Sequence, residues 1–423
     1  MSTRQERNAA KMQQTFVLPG IMRFAGHLAP SAPIPTYAQV NEYIPEICGL
    51  PYDYLFGQDG TAMAECSLLA WEYTGLDVLA SNHDFYNFEA ESIGAKLNYF
   101  EKHIPDIDRN DFFIKDARDL DKIKFQGLES GRYRYLIEYC HAYTKYIGVD
   151  VAPAFCAPWS LASNLYGLEN LVVAAITEPE FVHEMLRRIV FDLQGPMLRA
   201  IAAEIPGFAT ISVADAWASL PMVSQELHDE FVAPYTLKLS EAMGAGIPVS
   251  NSGIWGSSYL SGAARDRFMD FIVKMGGYVT AFDPDQDIVG VKYYRDYADR
   301  VGAPVLLGFS TTLLRDGSIE EIVERTKRYT LEGKNGKTPM IFFYNNIAPN
   351  TPIDNIRASI AAVHTYGAPG ATADTPFVLP QKAESFEAFL ARKIASNPEG
   401  YTFDWLSESE YGYLAGNLLE TRA

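Results

Sequence analysis

Six short clusters along the chain hold residues able to move protons, bind ions or grip a small ligand. They are Arg23 with His27; His83-Asp84; Asp215 with Trp217; Ser250-Asn251-Ser252 followed by Trp255 and Tyr259; Asp283; and Tyr344-Asn345-Asn346. Asp84, His83 and Asp215 could serve as general acids or bases. A carboxyl in a low dielectric, or an imidazole, can donate a proton near neutral pH. Trp217, Trp255, Tyr259 and Tyr344 could stack on a ring or a methyl group. Ser250, Ser252, Asn345 and Asn346 offer hydrogen bonds, and Arg23 and His27 offer further anchors. Asp84 and Asp283, with His27, His83 and Asp215, could hold a metal, although no recognised ligand spacing links them. Each residue also has a plainer explanation. Asp215 could cap a loop or pair with Arg23, His83 could be a hydrogen-bonded core residue, and the tryptophans could be packing.

Elements that must position these clusters can be read from hydropathy. Eight apolar runs recur, at 16–24, 76–84, 151–159, 210–219, 246–253, 276–285, 303–310 and 339–346. Amphipathic stretches separate them, and several carry helix-start signals. Thr177 with Glu180 and Ser318 with Glu321 read as capping boxes, and Thr351-Pro352 as a cap followed by a first-turn proline. Gly333 reads as a helix stop. Strand–helix alternation repeated eight times predicts an α/β fold, a (β/α)8 TIM barrel with extra N-terminal helices, as one domain over 1–423. A doubly wound open sheet is the rival, but no GxGxxG follows the first run. In a barrel, the C-terminal ends of all strands share one rim, so the six clusters would converge.

Composition narrows the partners. Among 423 residues, 53 Asp and Glu oppose 35 Lys and Arg, for a net charge of −18, which disfavours nucleic acid and anionic membranes. No run approaches the roughly 20 apolar residues of a membrane span, and the N-terminus lacks a signal-peptide core. Cys48, Cys66, Cys140 and Cys156 are scattered without a CxxC. These features predict a cytoplasmic protein with reduced thiols. A homodimer is compatible with the sequence.

The strand ends resemble those of the uroporphyrinogen decarboxylase superfamily, which contains tetrapyrrole decarboxylases and corrinoid-dependent methyltransferases. The stretches are MRFAG (22–26), SNHDFYNFEAESIG (81–94), FCAPWSLASNLYGLEN (155–170), DAWASLPMVSQELHDEFVAPY (215–235), LLGFSTTLLRDGSIEEI (306–322) and NTPIDNIRASIAAVHTYG (350–367). The resemblance implies the barrel. It also exposes two departures. Coenzyme M methyltransferases of this type end the fifth strand in His-x-Cys and add a Cys after the eighth, making a zinc–thiolate site. Here Ser250-Asn251-Ser252 and Asn345 stand at those positions, and neither serine nor asparagine is a good zinc ligand. The tetrapyrrole decarboxylases place an Asp after strand two, matched by Asp84, and an Arg matched by Arg23. Their second Arg, Tyr, Ser and His correspond to His27, Asn164, Ala216 and Asn345. An octa-anionic substrate would find few anchors.

The EAExxG helix and DAWAS stretch are more similar to the O-demethylase type of methyltransferase. That likeness implies transfer of a methyl group from a small methylated substrate, such as a methoxylated aromatic, to the cobalt of a separate corrinoid protein. The corrinoid would be the cofactor and its carrier the partner. Whether zinc or another metal assists is left open. The alternative is decarboxylation of a small carboxylic acid other than uroporphyrinogen, using Asp84 and Arg23.

Overall fold

The computed structural model describes residues 33–79, 82–147, 151–205, 208, 210–244 and 246–396. Arg23, His27 and the apolar run 16–24 lie outside the described residues. The strands are β1 (Thr36–Ala38), β2 (Leu97–Asn98), β3 (Asp106–Ile107), β4 (Ala154–Cys156), β5 (Ile211–Ala214), β6 (Val249–Ser252), β7 (Val279–Ala281), β8 (Val305–Phe309) and β9 (Met340–Tyr344). Seven of them run parallel in two sheets, ordered β1-β9-β8-β7 and β4-β5-β6. The described part of 76–84 bridges the two sheets. Val78 N–H donates to Thr36 O at 3.0 Å, and His83 Nε2 bonds Ala154 O at 2.9 Å. The segment therefore occupies the place of a second barrel strand between β1 and β4. The result is a TIM barrel.

One placement differs from expectation. The strand paired with β9 is Thr36–Ala38, in register with Phe342 to Tyr344, and not the 16–24 run. Pro33 and Pro35 punctuate this short segment and make it a weak strand signal. The helices Tyr43–Cys48, Tyr52–Gly57 and Gly60–Thr74 follow β1 and supply the extra N-terminal layer. β2 and β3 form an antiparallel ribbon between the second and third barrel positions.

Strand parity divides the core in two. Successive side chains of a strand point to opposite faces. Val305, Leu307, Phe309, Phe342 and Tyr344 join the large core that includes the surrounding helices. Leu306, Ile341 and Phe343 instead meet Tyr37, Val78, Tyr278 and Phe282 in a separate inner cluster.

Helix signals were legible in part. Ser318 Oγ accepts from Glu321 N–H while the Glu321 carboxylate accepts from Ser318 N–H, a complete capping box. Thr177 makes no such box. It ends the helix Leu168–Thr177, its hydroxyl returned to Val173 O, and Pro179 starts the next helix. Thr351 likewise donates to Ala348 O, and Pro352 is the cap. Gly333 closes the helix Ile319–Gly333 without turning the chain. A Cβ there would lie 2.7 Å from Met340 Sδ, so close packing is what the glycine permits. All four cysteines are buried and unbridged. Among the described residues, no helix is long and apolar enough to cross a membrane.

Candidate active site

A cavity of about 230 Å³ opens at the C-terminal mouth of the barrel. That is below the roughly 300–1,000 Å³ of sites for drug-sized ligands, so its occupant is small. Tyr37, Phe85, Tyr86, Trp255, Phe282 and Phe343 wall it with rings, and Gln39, Ser212, Ser252 and Asn345 add polar groups. Among the described residues, no charged side chain lines it. A second cavity of about 600 Å³ lies alongside, reached by Asp84, Asn164, Trp217, Arg109, Phe100 and His103. Tyr86 and Ala216 line both, forming a shared wall.

Local structure explains how the central cavity is built. Pairing of β5 with β6 sets Ser212 opposite Ser250 and Ala214 opposite Ser252. Ser252 reaches the cavity, whereas Ser250 lies deeper and donates to Gly276 O at 3.2 Å. The loop that carries Trp255 is pinned by Asp285. Its carboxylate accepts from the N–H groups of Gly256 (2.7 Å), Ser257 (2.9 Å) and Ser258 (3.2 Å). Trp255 then meets Phe282 edge-on, at a ring separation of 6.4 Å. Tyr259, 65% exposed, lies outside the cavity lining. On β9, parity brings Phe343 and Asn345 inward and turns Tyr344 outward, where its hydroxyl donates to Ser359 Oγ at 2.8 Å. Asn346 is engaged by the Glu42 carboxylate instead of the cavity.

The three proton-transfer candidates have different surroundings. Asp84 lines the larger cavity with both oxygens occupied. Oδ2 accepts from Arg132 Nη2 at 2.8 Å, and Oδ1 accepts from Asn87 Nδ2 (2.9 Å) and Tyr86 N–H (3.3 Å). Arg132 also reaches Glu91 at 2.5 Å and Phe56 O at 2.6 Å, and lies over the Phe88 ring. This network fixes the turn that places Tyr86 between the two cavities. His83 is fully buried, and burial holds its imidazole down at about 4, so it is neutral near pH 7. It serves as a cross-link to β4. Asp215 is also fully buried. Burial pushes its carboxyl up to about 6, against the opposing pull of Ser160 and Asn251. Ser160 Oγ donates to it at 2.7 Å and Asn251 Nδ2 at 3.2 Å. Its neighbours Ala214 and Ala216 both line the central cavity.

Among the described residues, metal chemistry finds little support in the donor set. Among the described residues, no three His, Cys, Asp or Glu side chains gather as a metal-holding group. Asp283 sits after β7 near Ser310, and burial raises its carboxyl from the ordinary range; Asp84 is committed to Arg132. In the 250–252 triplet, Asn251 bonds Asp215 and Ser252 Oγ donates to Val213 O at 3.3 Å. Neutral hydroxyl and amide groups already spent as donors do not suit zinc.

The model of the uroporphyrinogen decarboxylase (URO-D) family matches residues 35–366. The chain belongs to this family. It is 24% identical over 312 residues to a methylated-thiol–coenzyme M methyltransferase from Methanosarcina mazei, a match covering 72% of this chain and 77% of the relative. A solved methyltransferase from Methanosarcina mazei superposes with a TM-score of 0.60 at 18% identity, covering 81% of this chain and 96% of the other. This URO-D member therefore shares its barrel with methyltransferases.

Several residues of the site were not singled out from the sequence. Tyr37 was missed because the first strand was expected earlier in the chain. Phe343 was hidden inside the run MIFFY, where only pleat parity separates inward from outward residues. Phe85 and Phe282 adjoin Asp84 and Asp283, and Tyr86 follows Phe85, with no spacing that marks them as a wall. Arg132 is 48 residues from Asp84 and had no local signal.

Proposed function

We propose that this chain is an enzyme that transfers a methyl group from a small methylated molecule, bound in the central cavity, to the cobalt of a corrinoid carried by a separate protein. The observation that carries this reading is the small, ring-walled cavity at the barrel mouth, whose described lining is uncharged. An octa-anionic tetrapyrrole needs cationic partners and more space, and the described lining offers neither. A small carboxylate would likewise find no counter-charge among the described lining. Family membership and the likeness to methyltransferases support the reading at the level of reaction class. In it, Ser252, Asn345 and the rings hold the substrate. Asp84 acts by positioning, since Asp84 and Arg132 fix the turn bearing Tyr86. Asp215 contributes a buried charge behind the wall. The corrinoid is a second substrate presented by its carrier at the open mouth.

The test supplies a Co(I) corrinoid protein and a panel of O-, N- and S-methyl compounds, with methoxylated aromatics as one arm, and follows methyl-Co(III) absorbance. Methylation by at least one class is expected. Silence across the panel refutes the reading, and CO2 release without corrinoid replaces it with a carboxy-lyase.

A further inference from the structure

We propose that the methyl donor is a small methylated onium cation, such as a quaternary ammonium, held by the six rings of the central cavity. This rests on the methyl-transfer reading and assigns its substrate class. Tyr37, Phe85, Tyr86, Trp255, Phe282 and Phe343 surround a space without a single charged side chain among its described lining. Ring faces attract desolvated cations, and among the described residues no lining cation competes for them.

Asp215 supplies a second, independent reason. It follows the lining residue Ala214 and precedes the lining residue Ala216. Its hydrogen-bond donors, Ser160 and Asn251, are neutral. Among the described residues, no Lys, Arg or His side chain pairs with it. A buried carboxylate with no counter-ion among the described residues, set behind the cavity wall at Ala214 and Ala216, favours a cation on the other side of that wall.

Leaving-group chemistry points the same way. Cleaving an ether releases an alkoxide or phenoxide, which needs a proton or a metal. The cavity's own acidic hydroxyls, Tyr37 and Tyr86, are pushed above their ordinary range by burial and are poor acids. The carboxyls of Asp215 and Glu89 lie outside the described lining of the cavity, Asp215 turned to Ser160 and Asn251 and Glu89 Oε1 to Cys156 N–H and Gln194. An onium needs neither aid. A bond forms between its methyl carbon and Co(I), which supplies the electron pair and is oxidised to Co(III). The C–N bond breaks, its pair stays on nitrogen, and a neutral tertiary amine leaves with no proton consumed.

Calorimetry on the full chain compares choline with its uncharged carbon isostere, 3,3-dimethylbutan-1-ol. Choline is expected to bind at least ~10-fold more tightly. Phe343→Leu and Trp255→Leu, each checked for native circular dichroism, are expected to erase that preference, and Asp215→Asn to reduce it. Equal or tighter binding of the isostere overturns the proposal. So does choline binding that survives both ring substitutions. Transfer assays then separate the two levels. Cobalt methylation by methoxybenzene and not by choline sinks the onium assignment while methyl transfer stands. Selective choline binding with no methylation by any donor sinks the donor role together with the methyl-transfer reading, and leaves only an onium-binding site.

Discussion

Replacing Arg132 by Met tests whether Asp84 is an anchor of the site's architecture. The Arg132 side chain is 6% exposed and that of Asp84 5%, so their 2.8 Å contact is a buried ion pair. Methionine keeps the apolar stem over Phe88 but removes the bonds to Asp84, Glu91 and Phe56 O. Two unit charges about 3 Å apart attract by roughly 5–6 kcal/mol at an effective dielectric near 20, before desolvation is subtracted. Breaking one side of a buried pair costs ~3–5 kcal/mol, because the abandoned charge stays in the interior. Arg132→Met should therefore lower stability by ~3–5 kcal/mol. Asp84→Asn alone should cost less, since Arg132 retains Glu91. The double variant should be more stable than the sum of the single changes by ~1–3 kcal/mol, because a neutral amide in place of the Asp84 carboxylate leaves no orphaned charge there. Urea midpoints at unchanged m would report all three. A loss under ~1 kcal/mol for Arg132→Met, or strict additivity in the cycle, would refute the reasoning.

Two further outcomes follow from the same geometry. Glu89 is fully buried, with Oε1 accepting from Cys156 N–H and Gln194 and Oε2 lacking a hydrogen-bond partner among the described residues. Burial raises its carboxyl from 4.5 to about 8, so the folded state holds a proton that the unfolded state has released across that window. Stability attributable to this group is therefore full below about pH 4.5 and falls as pH rises towards 8, by up to ~1.4 kcal/mol per unit. Glu89→Gln should flatten this slope, and parallel pH–stability curves for the two proteins would contradict it. Gly256→Ala should destabilise by ~1–3 kcal/mol and displace Trp255, because the residue has φ +108° and a new Cβ would lie 2.6 Å from Leu220 Cβ and O. Unchanged thermal unfolding and tryptophan fluorescence would count against that loop as a rigid wall.

The sequence alone determined the alternation of strand and helix, the family, and that Ser250, Ser252 and Asn345 bring neither thiolate nor imidazole to their strand ends. These are properties of residue type and order along the chain. It also located the strand ends that carry Asp84, Asp215, Trp255 and Asn345. Which of those side chains face a ligand was a tertiary matter. Parity along β9 and the residue after it brought in Phe343 and Asn345 and turned away Tyr344, although all lie in one apolar run. Asp84 is held by Arg132, 48 residues away, and His83 is buried against Ala154 O, contacts that no local pattern encodes. The cavity's aromatic lining comes from residues 37, 85, 86, 255, 282 and 343, and only barrel closure brings them to one place. Local patterns encode periodicity and turn chemistry, whereas a binding surface depends on contacts between segments far apart in the chain.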